Sequence, residues 1–335
     1  MREALFYEQQ GQATHCGLCP KKCVIAEGRT GFCRVRKNTG GKLYSINYAQ
    51  ATAEALDPIE KKPLYHFYPG STILSLGTWG CNFACQFCQN WRIATGEPQT
   101  TALEPQSAAA LAAQFAGQGN IGIAYTYSEP SVWYEYIVDT ACLVQEAGLV
   151  NVLVSNGFIN EQPLQHLLPY IAAMNIDVKA FSEEFYQNIC AGKLSDVKRT
   201  VEQAAQYCHV EITTLVIPGL NDSPDEIASL AKWLAGVNKD IPLHLSRYFP
   251  NHKLNVPPTP LSTLEDAYKA AREYLNYVYV GNVGGNGNNT YCPQCGYKVL
   301  DRLNGYSQLN KSEKSCPQCG LSIPIVGDIR LPNRG

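Results

Sequence analysis

Between residues 71 and 281 short β-rich runs alternate with helical patterns, and this alternation restricts the fold more than any other feature of the chain. The runs are "STILSLGT" (71–78), "IGIAYT" (121–126, after Asn120), "LVNVLVS" (149–155), "MNIDVKA" (174–180), "HVEITTLVI" (209–217) and "IPLHLSR" (241–247). Between them lie "EPQSAAALAAQFAGQG", "SVWYEYIVDTACLVQEAG", "QPLQHLLPYIAA", "SEEFYQNIC" with "SDVKRTVEQAAQYC", and "SPDEIASLAKWLAGV". Several open on a capping Ser or Pro and close on Gly. "SPDEI" is a strong helix start: a cap, Pro at the first helical position and acids in the first turn. Six such alternations predict a parallel sheet with helices outside it. A last amphipathic pattern, "LSTLEDAYKAAREYL", precedes a final β-rich run, "YVYVG" (277–281).

The chain has 335 residues, 45% of them apolar and 17% charged, enough for one large barrel-type domain or two ordinary ones. A formal net charge of −2 gives no global electrostatic case for binding nucleic acid or an anionic membrane. The opening "MREALFYEQQ" lacks the apolar run of a signal peptide, and no stretch approaches the ~20 apolar residues of a membrane span. A cytoplasmic protein is expected.

Fourteen cysteines in a reducing compartment read as metal ligands or redox groups before they read as disulfides. Eleven form three clusters: Cys16, Cys19, Cys23 and Cys33; Cys81, Cys85 and Cys88; Cys292, Cys295, Cys316 and Cys319. Cys142, Cys190 and Cys208 stand alone and are read as small buried hydrophobes.

The middle cluster, "CNFACQFC", has three thiols and follows directly on the first strand. Three thiolates can bind three irons of a [4Fe–4S] cube and leave the fourth iron open. In a parallel barrel the loops that follow strands build the active face, so position and chemistry agree. A thioredoxin-type pair at Cys85 and Cys88 would leave Cys81 unexplained. A structural zinc site would need a fourth, distant cysteine.

This stretch resembles the Cys-x3-Cys-x-aromatic-Cys signature of radical S-adenosylmethionine (SAM) enzymes, with Phe87 as the aromatic residue. The resemblance covers about residues 71–250, and the barrel is similar to that of pyruvate formate-lyase activating enzymes. With "CGLCPKKC" and "LDPIEKKPLYHFYPG" included, the whole chain resembles the radical SAM member of the AmmeMemoRadiSam system, a name that records gene company and no reaction. The resemblance implies an α/β fold: a partial (β/α)6 TIM-type barrel with small cysteine-rich modules at both ends. It implies an oxidoreductase in which a [4Fe–4S] cluster cleaves SAM reductively to methionine and a 5′-deoxyadenosyl radical, which takes hydrogen from a substrate. It also implies an electron donor such as flavodoxin or ferredoxin. Activation of a glycyl-radical partner is one form of this reading.

The resemblance also points to SAM-binding residues. In "YTYSEP", Ser128 and Glu129 occupy the place of the family's Gly-Gly-Glu-Pro-like motif, with Tyr127-Ser128 where glycines are usual. Glu129 would accept from the methionine ammonium; a helix-start acid is the plainer reading. "VSNGF" resembles the family's Thr-Asn-Gly, and Asn156 offers both donor and acceptor, although Asn-Gly is also a strong turn pair. "IDVKAF" resembles an Asp-Leu-Lys segment. Asp177 and Lys179 share one strand face, to meet a zwitterion or to pair with each other. "LVIPGLND" resembles the family's Val-Pro-Gly segment near the adenine. His244 in "LHLSRYFP" matches a histidine near the nucleoside, against the alternative of a satisfied core histidine, and Arg247 would face the substrate. No residue is assigned as catalytic.

Of the flanking clusters, "CPQCG" occurs twice, at 292–296 and 316–320. Two knuckles make a closed tetrahedral site of the zinc-ribbon or rubredoxin kind, with zinc the default. The first cluster is less regular, and zinc and a second iron–sulfur cluster both fit. Lys21, Lys22, Arg29, Arg34, Arg36 and Lys37 surround it, against Glu27; they are read as offsetting the thiolate charge rather than touching an anion such as RNA. The Gly- and Asn-rich "NVGGNGNN" lacks a phosphate-loop Lys-Ser/Thr and is read as a linker. Three units are expected: a cysteine-rich module at 1–70, the barrel at 71–281 and a zinc-ribbon or rubredoxin-like module at 282–335. The two flanks would rim an incomplete barrel and admit a macromolecular or partner-delivered substrate. Competing classes are an iron–sulfur electron carrier without SAM chemistry, which has no use for Glu129, Asn156, Asp177 or Lys179, and a nucleic-acid-binding zinc module, which the net charge opposes.

Overall fold

In the computed structural model, which describes residues 1–284, 288–310 and 312–331, the alternating region forms one eight-stranded sheet. Its strands are β1 (Ala53–Pro58), β2 (Thr72–Gly77), β3 (Asn120–Tyr125), β4 (Val150–Ser155), β5 (Ala173–Asp177), β6 (His209–Val216), β7 (Leu243–Arg247) and β8 (Val278–Gly281). They lie in chain order from one edge to the other. Strands β2 to β8 are parallel, and β1 pairs antiparallel with β2, from Ala53 opposite Gly77 to Pro58 opposite Thr72. The run "YVYVG" is thus a seventh parallel strand beyond the six alternations, and the sheet stays open between β1 and β8, a partial barrel.

The connections are α1 (Pro105–Gln114), α2 (Tyr134–Glu146), α3 (Glu161–Leu167), α4 (Leu194–Ala204), α5 (Pro224–Asn238) and α6 (Leu261–Arg272). Their apolar faces pack on a sheet whose strands are buried on both sides, as parallel sheets require; β3 is buried at all six positions. The cap read in "SPDEI" is present: the Ser223 hydroxyl accepts from the Glu226 amide at 3.1 Å, and Pro224 opens α5. Cys190 is buried and Cys208 half-buried, but Cys142 is exposed on α2, where its thiol faces the Glu146 carboxylate, so it is not a buried hydrophobe.

The stretch after β1 turns under the sheet. Ile59, Leu64 and Phe67 pack against Ile73, Ile121, Val152 and Ala173 and plug the barrel at the strand N-termini. Beneath them the C-terminal module docks. Val326 bridges to Phe67, its amide donates to the His66 carbonyl at 2.8 Å, and the Arg330 amide donates to the Pro69 carbonyl at 2.8 Å. The linker stretch 282–289 includes residues 285–287, which lie outside the described residues.

The N-terminal module docks at the other end. It contains two small antiparallel three-stranded sheets. The Asn160 amide, after β4, donates to the Leu18 carbonyl at 3.0 Å, and the Trp133 indole, after β3, donates to the Asn47 carbonyl at 2.8 Å. Arg36 and Glu135, both almost fully buried, form an ion pair across this junction. The expected rim is therefore half right in place: the N-terminal module meets the loops after the strands, whereas the C-terminal module closes the opposite end. No helix among the described residues is long and apolar enough to cross a membrane.

Candidate active site and metal centres

At the C-terminal ends of the parallel strands lies a cavity of about 250 Å³ whose walls include Cys81, Cys85, Cys88, Glu129, Asp177 and Lys179. The three thiols ride on a loop pinned by backbone. The Ala84 amide donates to the Cys190 carbonyl at 2.9 Å, the Gln86 amide to the Ile189 carbonyl at 3.0 Å, and the Lys253 amide to the Gln86 carbonyl at 2.9 Å. Phe83 packs on Phe158 and Tyr186 beneath the loop. Gly192 has to be small here, because a Cβ there would meet the Phe83 ring at 2.3 Å. The brace from residues 186–190, a single π-helical turn, had no signal in the sequence, because its "YQNIC" reads as ordinary helix.

Phe87 is buried with its ring 6.0 Å from Phe185, so the aromatic residue of the motif also anchors the loop. The Phe83 amide donates to the Cys81 sulfur at 3.4 Å, and the Asn156 side-chain amide reaches it at 3.8 Å. Burial, with Glu129 nearby, keeps the Cys81 thiol well above its usual range. For Cys85 the neighbouring Cys190 thiol, with burial, does the same. Thiols so placed become thiolates only when a cation compensates them, which suits a metal centre. Cys81, Cys85 and Cys88 line this cavity together, so they could hold a [4Fe–4S] cluster there.

Glu129 is buried, and its carboxylate is held by the protein. Oε1 accepts from the Ser131 amide at 2.9 Å and the Ser155 hydroxyl at 2.8 Å, and Oε2 accepts from the Asn156 amide at 2.8 Å. It caps the short 3₁₀ turn Pro130–Trp133 and ties the loop after β3 to the end of β4. Burial raises its pKa, and the three donors only partly offset this. Ser128 donates to the Thr78 carbonyl at 2.8 Å. The Asn156 side chain gives its second donor to Asn82 at 2.9 Å and accepts from the Phe158 amide at 2.9 Å. Asn156 thus braces the cysteine loop while lining the cavity.

Asp177 and Lys179 do share a face and form an ion pair at 2.7 Å in the cavity wall. Burial would lower the Lys179 pKa, but the Asp177 carboxylate outweighs it and raises it. Tyr127, where glycine is usual, takes the left-handed backbone that favours glycine, with φ +70°. Its hydroxyl donates to Asp57 at 2.9 Å, and the buried Lys62 pairs with the same carboxylate at 2.8 Å. Asp57 and Lys62 lie in "LDPIEKKPLYHFYPG", which carries the family resemblance but gave neither residue a role.

His244 lies one layer below. It shares a strand face with Ser246, which lines the cavity, but its Nε2 meets Glu211 Oε2 at 2.6 Å and its ring stacks on Tyr279. Glu211, fully buried, also accepts from the His66 amide at 2.7 Å and meets His209 Nε2 at 2.9 Å. The structure therefore gives His244 the place of a satisfied core histidine. Arg247 donates to the Thr259 carbonyl at 2.8 Å and lies over Phe249.

The C-terminal cysteines converge. Their four sulfurs lie within 4.8 Å of one another, with contacts of 3.5 Å (Cys292–Cys319) and 3.6 Å (Cys295–Cys316). Each knuckle closes alike: the Gly296 amide donates to the Cys292 carbonyl and the Gly320 amide to the Cys316 carbonyl, both at 2.9 Å, on glycines at φ +75° and +76°. The group can hold one metal ion. The N-terminal cysteines line a small closed cavity with Lys21, Phe32 and Arg36. Arg36 donates to the Cys16 sulfur at 3.8 Å, so at least this cation lies against thiol as the charge reading requires.

Residues 76–234 match the family model of the radical SAM superfamily. An uncharacterised protein of Methanocaldococcus jannaschii is 41% identical over 338 residues, covering 97% of this chain and all of that protein. A second protein of that organism, which carries the provisional name glycyl-radical enzyme activating enzyme, is 26% identical over 218 residues, 61% of this chain and 79% of its own. The solved structure of Streptococcus suis SuiB bound to S-adenosylmethionine aligns with a TM-score of 0.51 at 13% identity, covering 63% of this chain and 52% of that one.

Proposed function

The chain belongs to the radical SAM superfamily, and from that premise we propose that it cleaves SAM reductively in the cavity beside Cys81, Cys85 and Cys88 and takes hydrogen from a macromolecular or partner-delivered substrate. The observation that carries this reading is the meeting of the three thiols with Asp177 and Lys179 in one cavity at the strand C-termini. Cys81, Cys85 and Cys88 would hold a [4Fe–4S] cluster, which when bound supplies the electron that cleaves SAM into methionine and a 5′-deoxyadenosyl radical.

The chain's own groups bind and orient. The Asp177–Lys179 pair offers opposite charges to a zwitterionic amino acid. Glu129 adds a buried carboxylate whose Oε2 has one further lone pair, while its three present bonds hold the loops after β3 and β4 in register. Asn156 fixes Cys81 against that frame. The plug of Ile59, Leu64 and Phe67 closes the barrel at the strand N-termini, the end opposite the cavity.

The AmmeMemoRadiSam affiliation rests on "CGLCPKKC" and "LDPIEKKPLYHFYPG" and belongs to this proposal, as do a flavodoxin or ferredoxin donor and zinc at the C-terminal cysteines. Glycyl-radical activation is a second reading, favoured by the 26% identity to the protein of that provisional name. An electron carrier without SAM chemistry would use Glu129 and Asn156 as braces but needs no cavity lined by the Asp177–Lys179 pair. Anaerobic reduction with dithionite in the presence of SAM should yield 5′-deoxyadenosine, and C81A/C85A/C88A should yield none. The substrate is sought by adding extracts of candidate proteins and following the rise in that yield.

A further inference from the structure

The molecule carries its own ruler for metal sites. A zinc ion bonds four thiolates at about 2.3 Å, which puts the sulfurs about 3.8 Å apart. The C-terminal four match this, with contacts of 3.5 and 3.6 Å and all four within 4.8 Å. Among the described residues they are the only group of three or more that meets that limit. Cys81, Cys85 and Cys88 do not meet it, and neither do any three of Cys16, Cys19, Cys23 and Cys33.

The N-terminal four are nonetheless gathered around one point. They line one small cavity together with Lys21, Arg36 and Asn82. Cys16, Cys19 and Cys33 are buried, and Cys23 is half-buried. The C-terminal thiols touch in pairs, whereas no three of the N-terminal ones come within the same limit. That spacing suits a centre in which each sulfur binds a different iron.

The cavity also touches the active site. Asn82 lines it and directly follows Cys81. The Asn156 amide donates both to Asn82 and to the Cys81 sulfur. Arg36 and the Phe32 amide, which donates to the Cys23 sulfur at 3.4 Å, supply positive ends to the four thiolates.

We propose that Cys16, Cys19, Cys23 and Cys33 hold a second [4Fe–4S] cluster, fully ligated by protein, as the redox neighbour of the cluster at Cys81, Cys85 and Cys88. It has no open iron, so it does not bind SAM. It takes up one electron from a reduced low-potential one-electron carrier, which is oxidised, and is reoxidised when it gives that electron to its neighbour.

The test does not need SAM cleavage. Iron, sulfide and zinc are counted in the anaerobically reconstituted full chain and in C81A/C85A/C88A. The wild type should carry about eight irons and eight sulfides, and the variant about four of each. The reduced variant should show an EPR signal that does not move when SAM is added. In the fully reduced wild type the two signals should broaden each other. Adding C19S/C23S to the variant should remove its remaining iron. A variant with two zincs and no iron, with two irons and two sulfides, or with a signal shifted by SAM overturns the proposal. An intact four-iron variant beside a wild type that cleaves no SAM would instead count against the proposed function alone.

Discussion

The two four-cysteine regions have the same number of thiols and opposite designs. The C-terminal set is a pair of matching knuckles, tight enough for one ion, under the N-terminal ends of the strands. The N-terminal set is irregular in spacing, wider, and joined to the loops after the strands, where Arg36 and Glu135 pair in the core. Their thiols differ too. Burial pushes Cys19 up to about 12 and Cys33 to about 11, whereas at Cys292 desolvation is outweighed by the Cys295 and Gln294 amides, which bring it down to about 7. Four thiols are enough to hold a metal in either set. On the proposal above, the distance between sulfurs and the end of the barrel they sit on separate a stapling metal from one that takes part.

The comparison breaks most readily at Arg36. Leaving Glu135 buried without its partner should cost about 3–5 kcal/mol in denaturant unfolding, read with loss of the N-terminal metal, while C-terminal zinc stays. R36A with unchanged stability and iron would show that the N-terminal site needs no support from the barrel. Next, C295S/C319S should lose one zinc per chain, lower the melting temperature and keep all iron. Loss of one iron instead would make the C-terminal centre rubredoxin-like. D177N should weaken SAM binding roughly ten- to a hundredfold, since a charge-assisted bond contributes about 1.5–3 kcal/mol, with metal content unchanged. Equal affinity would reduce the Asp177–Lys179 pair to a structural contact. The smallest effect is on pH. Zinc binding needs thiolates, so retention against a chelator should fall as the pH is lowered and protons compete with the ion for the four sulfurs.

Much of the barrel was legible because periodicity marks which residues face a sheet. Each β-rich run became a strand, and Asp177 and Lys179 share the face their parity predicted. Parity gives a face but not a depth. His244 has the face of Ser246, yet stands one layer lower, where Glu211 holds it. Strand β1 was missed because its only partner is β2 and its "AEALDP" carries acids, one of them neutralised by Lys62 five residues on. Asn156 and Glu129 were legible as cavity residues, but not as braces, because their partners come from loops distant in sequence. The docking of the C-terminal module under the barrel depends on backbone bonds from Val326 and Arg330, which no side-chain pattern announces.

The account stands on the cavity beside Cys81, Cys85 and Cys88 being the place where SAM is cleaved. The direct measurement is the yield of 5′-deoxyadenosine under anaerobic reduction, compared across wild type, C81A/C85A/C88A and C295S/C319S. The account predicts product from the wild type, none from the first variant, and wild-type yield from the second once differences in folded fraction are taken out. Product at the wild-type rate from C81A/C85A/C88A would contradict it.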